Sequence, residues 1–171
     1  MSGVTDHGNL TVKIDGLLLS ALDLGTAQAP INADWTQLFT NGTGANQVSQ
    51  MWSDTRSLAG SATENLDLAG SLTNAFGTTI TFTKIKLIAV KASSANNSAN
   101  NVNVQRGSTN GFVGFLAASD GFFLSPGAFA VFCWPDASGA AVTAGTGDIL
   151  TITNSAGTNT VSYDIVIWGV D

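Results

Sequence analysis

The most persistent strand pattern in the chain covers residues 79–92. Thr, β-branched and aromatic residues fill it without Gly or Pro, and Gly77 and the polar residues 93–101 bound it, which predicts a central strand. Side chains alternate along a strand, so Ile85, Leu87 and Ala89 share one face. Ile80, Phe82, Ile88 and Val90 share the other with Lys84 and Lys86. Both faces are partly apolar. Either a bulge near Thr83 shifts the parity, or the second face is covered from outside the core. Residues 160–170 repeat the pattern, with Val161, Tyr163, Ile165 and Ile167 on one side and Val166, Trp168 and Val170 on the other. The two stretches are expected to be neighbours in one sheet.

Short strand patterns separated by polar or Gly-bearing turns fill the rest from about Gln47 onward. Residues 50–58 predict a strand, residues 62–68 its partner across Ala59-Gly60-Ser61, and residues 71–76 a turn or single helical turn closed by Gly77. Val102 and Val104 mark another strand. Asn110-Gly111, favouring positive φ, leads into residues 112–116. Residues 121–124 and 128–134 flank Ser125-Pro126-Gly127, and residues 148–153 and 160–170 close the chain. About eight strands and no sustained helix predict an all-β fold, a single jelly-roll β-sandwich over residues 47–171 with an extended N-terminal arm over residues 1–46.

The arm has a different pattern. Residues 9–14 alternate as a short strand, Gly16 breaks it before Leu17, Leu18 and Leu19, Pro30 interrupts residues 27–34, and Trp35 to Phe39 form a short apolar patch before Asn41-Gly42-Thr43-Gly44. This reads as a strand or hook whose leucines, Trp35 and Phe39 need a surface. That surface belongs either to a neighbouring subunit or to the chain's own domain.

Composition narrows the function. Charged residues are 11% of the chain and hydrophobic residues 44%, a globular balance, and the formal net charge is −6 with six scattered Lys and Arg. Phosphate binding needs clustered cations, so nucleic acid is not the expected partner. The apolar run 17–24 is far shorter than a bilayer requires and includes Asp23, and residues 1–7 lack the pattern of a signal peptide, so neither membrane nor secretion is expected. The single cysteine, Cys133, fits folding in a reducing compartment and reads as a small buried hydrophobe.

Catalytic chemistry has little to work with. His7 is the only histidine and Glu64 the only glutamate, so neither a nucleophile-histidine arrangement nor a carboxylate pair is apparent, and no enzyme and no cofactor are expected. Asp120, Asp136 and Asp148 fall in turn-like segments, where Asp most often bonds its own backbone rather than Ca²⁺. Three of the four tryptophans, Trp52, Trp134 and Trp168, lie in alternating strands and read as structural rather than sugar-stacking. Trp35 reads as an anchor for a partner pocket.

Residues 51–92, beginning Met-Trp-Ser-Asp-Thr-Arg-Ser-Leu-Ala-Gly, resemble small virion-associated proteins of tailed bacteriophages. Residues 142–155, Val-Thr-Ala-Gly-Thr-Gly-Asp-Ile-Leu-Thr-Ile-Thr-Asn-Ser, and 162–169, Ser-Tyr-Asp-Ile-Val-Ile-Trp-Gly, are similar to the closing strands of that group. The resemblance spans residues 51–170 and leaves the arm outside it. It implies a capsid decoration, or cement, protein on the exterior of the virion, assembled in the host bacterial cytoplasm, with the major capsid protein and its own copies, as a homotrimer, for partners. On that reading Leu17, Leu18, Leu19, Trp35 and Phe39 supply one contact. Val166, Trp168 and Val170, or Ile88 and Val90, supply the contact between copies. A tail, baseplate or fibre component is the nearest alternative, and a carbohydrate- or receptor-binding module one from another class.

Overall fold

The computed structural model describes residues 6–114, 117 and 120–171, and among these all regular structure is strand. The chain opens with two long strands, β1 (Gly8–Leu22) and β2 (Gly25–Asn41), paired antiparallel without a break from Gly8↔Phe39 to Leu22↔Gly25 around a two-residue turn at Asp23 and Leu24. Fifteen pairs at about 3.4 Å per residue make a ribbon roughly 50 Å long. The expected break at Gly16 does not occur. Gly16 pairs with Ile31, whose side chain lies over it, with the Ile31 Cβ 3.6 Å from where a Gly16 Cβ would stand. Pro30 sits inside β2 opposite Leu17, tolerated because both strands of a two-stranded ribbon are edges. Continuous cross-strand pairing thus overrides two residues that, read locally, stop a strand.

After a turn in which Gly42 (φ 142°) and Asn46 (φ 55°) take positive φ, β3 (Gln47–Val48) runs parallel to the end of β2. The turn is tied to the body: Asn46 N–H donates to the Pro135 carbonyl at 2.7 Å, and Ser49 N–H to the Gly169 carbonyl at 2.9 Å. The remaining strands are β4 (Gln50–Leu58), β5 (Thr63–Asp67), β6 (Leu72–Thr73), β7 (Thr79–Ile80), β8 (Lys84–Ala92), β9 (Val102–Arg106), β10 (Gly121–Leu124), β11 (Phe129–Cys133), β12 (Ala140–Ala141), β13 (Ile149–Asn154) and β14 (Val161–Val170). They form one sheet in the order β11-β8-β14-β4, with β12 also on β8, and a second in the order β10-β9-β13-β5. The inward side chains of both sheets, including Trp52, Ile88, Val90, Val104, Leu150, Ile152, Tyr163, Ile165 and Ile167, fill one buried core between them, which makes the body a β-sandwich.

Several sequence-based expectations are corrected here. Residues 63–67 are not the hairpin partner of β4: β5 pairs with β13 in the opposite sheet, and the turn at Gly60 and Ser61 (φ 57°) carries the chain across. Residues 71–76, expected as a turn or single helical turn closed by Gly77, contain β6 and the turn of a small β6–β7 hairpin over residues 72–80, with no helical turn. Asn74 shapes its loop by accepting the Phe76 and Thr78 N–H groups at 3.0 Å each, with Gly77 at φ 79°. The expected strand over residues 79–92 is therefore two strands, separated at Thr81–Thr83 where Phe82 still points into the core. The expectation for residues 112–116 falls partly outside the described residues; Gly111 bridges Ile149 and Phe112 is buried.

The double-faced pattern has two causes. β8 and β14 are neighbours in register from Tyr163↔Ala92 to Trp168↔Leu87, after which Gly169 pairs with Ile85. Lys86 is therefore the extra residue of a β-bulge. It shifts parity, so Ile88, Val90 and Ala92 point inward on one side of it and Ile85 on the other. The bulge lies three residues beyond the expected position at Thr83. The bulged Lys86 is fully buried and donates its ammonium to the Asp136 carbonyl. The second cause is cover on the outer face, supplied by the root of the ribbon.

Candidate assembly surface

Cross-strand pairing sorts the ribbon into two faces. Residues directly opposite one another share a face, so Leu10, Val12, Ile14, Leu18 and Leu22 of β1 lie beside Ala29, Ile31, Ala33, Trp35 and Phe39 of β2 on the first. That face is apolar along almost its whole length. The second is polar near the body, where Thr11 opposes Thr36 and the Lys13–Asp15 ion pair (3.1 Å) lies, and turns apolar toward the tip with Leu17, Leu19, Ala21 and Pro30.

The root of the ribbon is welded to the outer face of the β11-β8-β14-β4 sheet. Phe39 is only 2% exposed and meets Trp168 edge to face, with centroids 5.9 Å apart and planes at 84°. Gly8, opposite Phe39, lies under the same indole, and a Cβ there would collide with the Trp168 ring. Trp168, Leu87 and Cys133 follow one another across β14, β8 and β11, with Val166, Ala89 and Val131 forming the next row. These rows make an outer face that is apolar toward the ribbon root. Leu87 is buried there although it belongs to the outer side.

Above this weld the ribbon and the sheet diverge and leave an open cleft. Its volume is about 520 Å³, and it is lined by Leu10, Val12, Trp35 and Gln37 from the ribbon and by Phe129, Val131 and Cys133 from β11. None of these carries a charge. Cys133 is not the core residue expected from its sequence: Phe132 takes the inward position opposite Ile88, and the Cys133 thiol, half-buried, faces the cleft, its pKa pushed up by burial. Much of the ribbon, Trp35 at the cleft and Leu38 near the root included, is left uncovered by the described residues. Leu18 is 67% exposed, Trp35 62%, Leu24 fully, and Ile14, Leu17, Leu19, Leu22, Ile31 and Leu38 half or more.

The expected contact residues thus separate into three groups. Leu17, Leu18, Leu19 and Trp35 are exposed on the ribbon, where a partner could reach them. Phe39 and Trp168 are spent on joining the ribbon to its own body, and Val166 is half-buried on the outer sheet face. Ile88 and Val90 belong to the sandwich core, at 1–2% exposure, and a contact with another subunit through them would require the sandwich to open; Val170, paired with Lys84, lies on the outer face but is itself covered, at 1% exposure. Missed from the sequence were Leu10, Val12, Ile14, Leu22, Ile31, Phe129 and Val131. The signal for the ribbon residues was their shared parity when the two arms are folded about Asp23 and Leu24.

Of the residues weighed for chemistry, Glu64, Asp136 and Asp148 have structural partners. Arg56 donates Nε to Glu64 Oε2 at 2.6 Å and a terminal nitrogen to Asp54 at 2.8 Å, while the Tyr163 hydroxyl donates to Glu64 Oε1 at 2.5 Å. Because Arg56 is on β4 and Glu64 on β5, this network ties the edges of the two sheets together. Burial, and then the Glu64 carboxylate, push the Tyr163 phenol far above its ordinary range. The Asp136 carboxylate accepts the N–H groups of Gly139 (2.9 Å) and Ser138 (2.7 Å), which hold it below the usual carboxylate range, and Asp148 accepts the Gly145 N–H at 2.5 Å. These are turn-shaping bonds. His7 is exposed beside the ribbon root. Among the described residues no group of three or more His, Cys, Asp or Glu converges as metal ligands, and no helix is long and apolar enough to cross a membrane.

In comparisons with known proteins, no family model, no characterised protein and no solved structure matches the chain.

Proposed function

We propose that this chain is a non-enzymatic structural protein of a tailed-bacteriophage virion, a jelly-roll decoration protein that sits on the outside of the head and bridges major capsid subunits. The observation that carries the reading is the division of apolar surface. The sandwich closes its own core, while a projecting ribbon presents leucines, Ile31 and Trp35 to solvent. A patch of that size on a soluble chain marks a surface for assembly. The jelly-roll reading is supported by strand order. Counting β4, β5, β8, β9, β10, β11, β13 and β14 as strands one to eight, the sheets run 6-3-8-1 and 5-4-7-2, the interleaving of two Greek keys. The phage reading adds the resemblance of residues 51–92, 142–155 and 162–169 to virion-associated proteins. A non-enzymatic role is supported by Glu64, whose two oxygens are both taken by Arg56 and Tyr163.

Decoration works by surface burial repeated over many symmetric copies. At about 25 cal/mol per Å² of apolar area, a few hundred Å² per contact contributes several kcal/mol before association costs, and multivalency makes the lattice firm. A density map of the intact particle tests this. Density for the sandwich on the outer shell, with the ribbon reaching a neighbouring subunit, is expected; density on the tail or none on the particle would overturn it.

A further inference from the structure

We infer that a second cavity, between the edge strand β4 and the β6–β7 hairpin, is a binding site for a neutral saccharide of one or two rings. Its volume is about 520 Å³, in the range that holds a small molecule. Trp52 and Ile80, both core residues, form its inner wall, and Phe76 stands at its rim, 76% exposed. That exposed ring is carried by an ordered loop. The Asn74 N–H donates to the Thr78 carbonyl at 2.9 Å and the Gly77 N–H to the Asn74 carbonyl at 3.0 Å, in addition to the two N–H groups that the Asn74 side chain accepts. A bare π face held in place offers a stacking surface whose ordering cost is not charged to the ligand.

The polar groups select the ligand. Asn74 Oδ1 is occupied by the Phe76 and Thr78 N–H groups, and Gln50 Oε1 accepts the Thr81 N–H at 3.0 Å, so each amide is fixed with its oxygen on the backbone. Both residues line the cavity, and their NH2 groups have no partner among the described residues. Asp6 supplies the opposite need. Its carboxylate accepts no hydrogen bond from the described residues, and it is the only charged residue in the lining.

Other classes of ligand leave one of these groups opposed or unpaired. An anion would suit the amide donors, but it meets Asp6, with Asp171 close enough to raise the Asp6 pKa, and no Lys or Arg lines the cavity. A cation would suit Asp6 but faces the donor ends of two amides. A wholly apolar molecule strips water from donors and carboxylate alike. A pyranose satisfies all of them: its hydroxyls donate to Asp6 and accept from Gln50 and Asn74, while its C–H face lies against Phe76. The inference goes beyond the capsid reading and does not depend on it, because the site is complete within one chain.

Saturation-transfer NMR of the full chain tests it. The neutral probes are the methyl pyranosides of glucose, galactose and mannose, N-acetylglucosamine, lactose and maltose; tetramethylammonium and N-acetylneuraminic acid are the cationic and anionic ones. At least one neutral sugar is expected to bind, and more tightly than either charged probe. Phe76→Ala should weaken that sugar about tenfold, the loss of one aromatic contact, whereas Phe76→Tyr keeps the ring and should bind as the wild type does. Gln50→Glu keeps an oxygen for the Thr81 N–H and removes only the free donors, so it should weaken the same sugar. Because Phe76 lies outside the core, its variants are expected to unfold at the wild-type temperature. Silence from every neutral sugar, tighter binding of a charged probe, or a bound sugar indifferent to both Phe76→Ala and Gln50→Glu would overturn the inference.

Discussion

Tyr163 shows how one inward residue can do two jobs at the rim of a sandwich. Its ring fills the core while its hydroxyl reaches Glu64, and the Arg56 guanidinium completes the link between β4 and β5. It is also the chain's only tyrosine, so phenolate absorbance reports on it alone. Its folded pKa lies above the unfolded value of 10.0, so the folded state keeps a proton that the unfolded chain loses. The contribution of Tyr163 to stability is therefore full below pH 10 and is lost as pH rises above that value. The native protein is expected to show no phenolate absorbance somewhat above pH 10, with the signal arriving only together with unfolding; a reversible native titration near 10 would contradict the buried network. The inward parity of Tyr163 was legible in residues 160–170. Its partner was not, because alternation says which way a side chain points and nothing about what lies opposite.

At the scale of elements, the ribbon and its root carry the account. A two-stranded ribbon is marginal by itself, and this one is anchored at one end by Phe39 against Trp168 and by Gly8 beneath the same indole. Phe39→Ala removes a buried ring and should cost about 3–5 kcal/mol of packing at the root. The expected outcome is a sandwich that keeps its β-signature in circular dichroism while the ribbon becomes rapidly cleaved by protease at residues 8–41. Unchanged cleavage would place the anchor elsewhere. The strands β4, β9, β10, β11, β13 and β14 were all legible from alternation and turn residues, with Pro126-Gly127 a clear punctuation. The ribbon was not, because Gly16 and Pro30 are read locally as breakers, whereas fifteen consecutive cross-strand pairs decide the matter non-locally. The bulge at Lys86 was legible as a parity conflict. Its place was set by the pairing with Trp168 and Gly169, which no single strand reveals.

For the whole molecule, the division of labour between a closed body and an apolar projection is the central claim. Leu17, Leu18, Leu19 and Trp35 were legible as residues in need of a surface, because leucines and an indole stood in a segment with no core of its own. Ile88 and Val90 were misassigned for a related reason: the inner face of β8 was taken for the outer one, because the bulge turns Ile85 inward as well and leaves both faces apolar; Val170 keeps its outer parity but is covered. The cleft between ribbon root and β11 joins residues about 120 apart in sequence and had no local signature. The most direct test is co-sedimentation of the purified protein with DNA-filled heads stripped of it. The full chain is compared with a chain whose ribbon is shortened by replacing residues 13–34 with a two-residue turn, keeping Phe39 and Trp168 in contact. Saturable binding of the full chain and none of the shortened, still folded one is predicted; equal binding by both, or none by the full chain, would contradict the account.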